Sequence, residues 1–183
     1  MNPSRIEWLF AHDLMNFAMK DRDMFWVPAT VVTFYRLTSP TVFTVDVGKV
    51  VRKLTISVKV RTKKKFKLIY ESGLSTSLQF EMFMRNYALV HFTNEFSSRN
   101  FLPFCAFATD FAIRFYKHGA MEAPHHAIAL VAEVLTDNKE SFVKNGGWFS
   151  LQEECNDILE SGCCCCCSSI NILNCFGCFY KHR

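Results

Sequence analysis

The segment FLPFCAFATDFAIRF, residues 101–115, is apolar on nearly every side, and Asp110 and Arg114 are its only charges. A helix built this way has no face to offer to water, so other helices have to surround it. The chain supplies them. Residues 4–19 place Ile6, Leu9, Phe10, Asp13, Leu14 and Phe17 at three- and four-residue spacing behind Pro3 and Ser4, which predicts a capped amphipathic helix. Residues 77–96, 101–117, 124–136, 139–144 and 148–160 read as further helices, separated by short polar or glycine-containing breaks. The order predicts an all-α bundle of seven to eight helices, with residues 102–117 the most buried element.

Two stretches resist this reading. Residues 20–41 contain Pro28, Pro40 and the run TVVTFYRL, which reads as a loop with an extended piece. From Val42 to Tyr70 two periods conflict. TISVKVRT alternates apolar and polar residues and is rich in β-branched side chains, which favours a strand. Yet Val47, Val51, Leu54 and Val58 fall at 4–3–4 spacing, on one helical stripe.

With 183 residues the chain is about one domain, long enough to bury a core without disulfides or metals. Half the residues are hydrophobic and 19 are Phe, so the core is expected to be aromatic. The net charge of +4 is concentrated in Arg61, Lys63, Lys64, Lys65 and Lys67. Such a run is ordinarily a solvated face; its functional reading is attraction to anionic lipid or to acidic partner helices, and no nucleic-acid partner is expected. Only Cys105 and Cys155 precede residue 163, whereas a secreted disulfide framework spreads its cysteines through the fold. Arg5, Glu7, His12 and Asp13 interrupt any apolar run at the start, so an intracellular, reducing setting is expected. The seven glycines permit no G-x-G-x-x-G, G-x-x-x-x-G-K-[ST] or G-x-S-x-G motif, and there is no H-E-x-x-H. The expectation is a binding protein, with no enzyme activity and no cofactor. His125 and His126 lack a third ligand at helical spacing, so no metal site is expected there.

The remaining informative stretch is FVKNGGWFSL, residues 142–151, where two of the seven glycines stand together between helical segments. Positive φ at Gly146 and Gly147 predicts a sharp helix stop and reversal, and Asn145 tolerates the same region. Placed after the central helix, Asn145, Gly146, Gly147 and Trp148 resemble the "NGGW" signature of the Bcl-2 family of apoptosis regulators. The segment RNFLPFCAF is similar to that family's "NWGR" region: Asn100 matches, Phe101 stands for the tryptophan, and 45 positions separate Asn100 from Asn145.

This resemblance implies a Bcl-2-like bundle over residues 1–160, with residues 46–62 as its second helix against local strand propensity. It implies a partner groove lined by Val51, Leu54, Val58, Phe66, Tyr70, Tyr87, His91, Leu102, Pro103 and Ala106, which receives the death-motif helix of pro-apoptotic proteins. Departures matter too. Leu102 and Pro103 occupy the Gly and Arg positions of "NWGR", which removes the family's charged anchor for the partner's aspartate. Val58 and Lys59 stand at the Gly-Asp pair of the third homology region, which favours an inhibitor over a membrane-permeabilising member. Lys59 and Arg99 are candidates to replace the lost cation. Viral members of the family commonly diverge this far, so the resemblance admits a viral survival factor. An unrelated cysteine-tailed scaffold or metal-binding protein is the competing reading.

Residues 161–183 form a separate, hydrophobic tail. Nineteen positions, 162–180, carry no formal charge and are followed by Lys181, His182 and Arg183. As a helix they would span about 28 Å, close to the ~30 Å hydrocarbon core of a bilayer. Ser168, Ser169, Asn171 and Asn174 interrupt the apolar character, but Cys163, Cys164, Cys165, Cys166 and Cys167 suit S-acylation, which would restore apolar mass. A metal cluster and an unstructured tail are the alternatives; the resemblance implies attachment to mitochondrial or endoplasmic reticulum membranes.

Overall fold

The structure, a computed structural model, describes residues 5–27, 41–73, 76–93 and 96–161. Among them are seven helices and no strand: α1 (Arg5–Lys20), α2 (Val45–Glu71), α3 (Ser77–His91), α4 (Ser98–Lys117), α5 (Ala123–Asp137), α6 (Lys139–Lys144) and α7 (Gly147–Glu160). The domain is thus an all-α bundle. Residues 28–40, with Pro28, Pro40 and the whole TVVTFYRL run, and the tail from residue 162 onward, with its five consecutive cysteines, lie outside the described residues. Among the described residues no helix is long and apolar enough to cross a membrane.

Local signals explain where the helices start. Thr44 caps α2 by accepting a hydrogen bond from the Val47 amide at 3.3 Å. Thr76 and Gln79 form a reciprocal capping box on α3, and Ser97 caps α4 through the Asn100 amide. In α2 the conflict of periods is resolved in favour of the helix, which runs on to Glu71. Val47, Val51, Leu54 and Val58 are all buried, whereas Ile56 and Val60, which share the alternating face with Val58, are 70% and 78% exposed. Burial follows the 3.6-residue period because one long face of α2 lies along α4.

Helix α4 is the centre. It packs against α1, α2, α3, α5 and α7, while α1 lies mainly on α5. Every residue from Phe101 to Ile113 is buried. Pro103 sits inside this helix and cannot donate to the carbonyl four residues earlier, a defect of about 3 kcal/mol in a helix interior. Phe104, Phe107, Phe111 and Phe115 are also buried there. Each contributes about 1.5–3 kcal/mol relative to exposure, so packing outweighs the proline.

The glycine pair makes the final reversal. Gly146 and Gly147 have φ of 89° and 58°, both left-handed, but Asn145 keeps φ −90°. Asn145 does a different job: its side-chain amide donates to the Phe96 carbonyl at 3.1 Å. The two glycines also differ. A Cβ at Gly146 would meet the Ser150 Cβ at 2.9 Å, whereas one at Gly147 meets nothing within 4 Å. Gly147→Val is therefore expected to lose about 1–3 kcal/mol from backbone strain. Gly146→Val should lose more, and Gly147→Asn clearly less, because asparagine tolerates positive φ. Urea unfolding of the three variants checks the order; equal stabilities would refute the constraint.

Candidate functional site

The groove positions suggested by the sequence fall on three helices. Val51, Leu54, Val58 and Phe66 are buried on α2, Tyr87 is buried and His91 half-buried on α3, and Leu102, Pro103 and Ala106 are buried on α4. Tyr70 is the exception, at 48% exposure. They do not converge on one point. Tyr87 and His91 stack near Phe104, at ring separations of 6.0 and 6.4 Å, whereas Phe66 and Tyr70 lie beside Phe115 and His118 at the other end of α4. From Phe104 to Phe115 is about 16 Å along a helix axis. Val51 faces elsewhere, into a cavity on the α1 side.

Between these ends α4 presents an aromatic floor. Phe80 and Phe83 of α3 rest on Phe111, at 6.0 and 5.0 Å, and Phe66 of α2 and Phe80 of α3 both meet Phe115, at 5.2 and 5.6 Å. Helices α2 and α3 each pack on α4 but are not packed along each other. The Lys65 ammonium of α2 lies 6.0 Å from the centre of the Phe83 ring. Burial first, then the neighbouring Lys64, push this ammonium below the usual lysine range. A half-buried cation over an aromatic face, beside an apolar floor, is a place where a carboxylate on a visiting helix would gain from a low local dielectric.

Sequence reasoning placed Lys65 only within the basic run whose functional reading is attraction to anionic lipid or to acidic partner helices, and did not name Phe83 among the groove positions. The signal was present: Lys65 follows Val58 by seven residues, which returns it to nearly the same helical face. The cations first suggested lie elsewhere. Lys59 lines the α1-side cavity, and Arg99 is exposed in the first turn of α4.

At the Tyr87 end, the His91 ring donates from Nε2 to the Asn100 carbonyl at 3.1 Å, since a carbonyl can only accept. Burial pushes His91 below its ordinary value, partly opposed by that bond. The two family-like segments meet nearby in one cluster. Phe96 packs on Phe101 and Phe142 at 5.5 and 5.9 Å, and Trp148 packs on Phe10 and Phe142 at 5.0 and 4.9 Å. With the Asn145 bond to Phe96, the start of α4 and the start of α7 are tied together. These residues form a structural tie between α1, α4, α6 and α7.

Several other polar groups have internal partners. Asp110, 3% exposed, accepts from Arg22 at 2.6 Å, from Arg114 at 2.9 Å and from Thr62. His126 faces Glu81 at 2.8 Å and His125 faces Glu122 at 3.1 Å, and both histidines are half-buried. Among the described residues no group of three His, Cys, Asp or Glu side chains could hold a metal ion. Burial pushes the Cys105 thiol well up, and the Cys155 thiol up to about 12, so neither is a thiolate near neutrality.

Comparisons with known proteins found no match: no family model, no curated protein and no solved structure matches this chain.

Proposed function

We propose that this chain is an inhibitory regulator of apoptosis of the Bcl-2-like kind, which sequesters amphipathic death-motif helices between α2 and α3 over the aromatic floor of α4 and performs no covalent chemistry. The observation that carries the reading is that α2 and α3 flank α4 without packing along each other, so an amphipathic helix laid there completes the bundle. The length of the floor suits such a helix, whose apolar anchors recur every three or four residues. Since most of the wall residues are already buried, a partner has to part the lips before it gains contact area. Selective, not promiscuous, binding follows. The charged anchor is Lys65, and the tail outside the described residues is assigned to membrane attachment.

Titration of the full chain against a panel of death-motif peptides by fluorescence polarisation tests this. A few peptides should bind well. Lys65→Glu on α2 and Val90→Asp, at a 44% exposed position of α3 seven residues after Phe83, change side chains outside the fully buried core, and each should weaken binding about tenfold, or 1.4 kcal/mol. Ala106 is fully buried, so arginine there would disrupt packing before it reported on binding. Replacing the partner's aspartate by alanine should cost less than the ~2–5 kcal/mol of a desolvated pair, because Lys65 keeps contact with water. If the folded protein binds no peptide more tightly than about 10 μM, roughly −7 kcal/mol, the sequestering function is wrong.

A further inference from the structure

On the side of α2 that faces α1, the C-terminal half of α4 closes a cavity of about 490 Å³. Five cations line it, Arg22, Arg52, Lys59, Arg114 and Lys117, against two carboxylates, Asp21 and Asp110. The local balance is five minus two, or +3. Both carboxylates already face cations of this lining. Asp110 is held by Arg22, Arg114 and Thr62, and Asp21 faces Arg52 at 3.2 Å. Lys59 and Lys117 are exposed and have no ion-pair partner among the described residues. Arg22 and Arg114 each present one nitrogen to Asp110, which fixes the guanidinium groups while leaving further N–H donors. One wall of the cavity is apolar, with Phe17 and Ile113.

From this we infer that the cavity binds a phosphate-bearing anion of two or more negative charges, with the phosphate at the basic rim and its organic part against the apolar wall. Concentrated like charge in a concave, partly desolvated site focuses a positive field that only an anion relieves. Phosphate is the preferred partner because guanidinium groups recognise it with paired, charge-assisted hydrogen bonds. The volume fits a headgroup-sized ligand. Neither Lys65 nor Phe83 lines this cavity, so its test is independent of peptide binding.

The full chain is titrated calorimetrically with pyrophosphate and inositol trisphosphate, and sedimented with phosphatidylcholine vesicles with and without phosphatidylinositol bisphosphate. Binding of the soluble anions alone identifies a free phosphate ester as the ligand; binding that requires the lipid identifies a headgroup. In either case K59E/K117E should weaken binding at least about tenfold. K59M/K117M, which adds no repulsion, should have a smaller effect in the same direction. K63E/K64E, an equal charge change at exposed positions elsewhere on α2, should leave binding within about twofold. The proposal is overturned if no probe binds at about 1 mM, or if K63E/K64E weakens binding as much as K59E/K117E does.

Discussion

Asp110→Ala is expected to destabilise the fold by about 3–5 kcal/mol, the usual cost of removing one partner from a buried charged network. Asp110 sits in the most buried helix, and its carboxylate joins α1's C-terminal turn, α2 and α4 through Arg22, Thr62 and Arg114. Its loss leaves the Thr62 hydroxyl, on a fully buried residue, without that acceptor. The Arg22 and Arg114 side chains are 25% and 21% exposed and recover some hydration, which places the effect toward the lower end of that range. Asp110→Asn keeps an acceptor and should lose about half as much. Urea unfolding followed by circular dichroism reads both. A loss below about 1 kcal/mol for Asp110→Ala would mean that the network is not coupled to folding.

Trp148→Ala is expected to cost about 3 kcal/mol, the low end for large aromatic truncations, because the ring is half-buried. What is lost is the packing on Phe10 of α1 and Phe142 of α6, which joins the first and last parts of the domain. Trp148→Phe should retain most of it. Thermal unfolding of the two variants is the measurement, and an unchanged midpoint for Trp148→Ala would assign the ring to the surface.

Periodic features were the legible ones. The apolar run 101–115 lies within the central helix, because burial of a helix is encoded in its own spacing; the stripe Val47, Val51, Leu54, Val58 is buried along α4 as well, although its helical period competed with a strand alternation and was chosen through the family resemblance. The glycine reversal was also readable, since φ near 60–90° at two neighbouring positions demands glycine. Partners distant in the chain were not. Nothing in local sequence says that Asp110 meets Thr62, 48 residues away, or Arg22, 88 residues away. The suggested groove positions show the same division: they fall on α2, α3 and α4, but a stripe does not reveal which of its members stays accessible, so fully buried Ala106 was named and half-buried Phe83 was not.

The bond between Arg22 and Asp110 sets a schedule as well as a stability. During synthesis at about 5–20 residues per second, Arg22 leaves the ribosome about 4–18 s before Asp110 does. Helix α1 waits longer still, since it packs chiefly on α5. Throughout that interval Leu9, Phe10, Leu14 and Met15, all buried in the finished bundle, lack the surfaces of α4 and α5 and have only Phe43 and α2 to pack against. Slowing translation before residue 123 is therefore expected to lengthen the exposure of this apolar face.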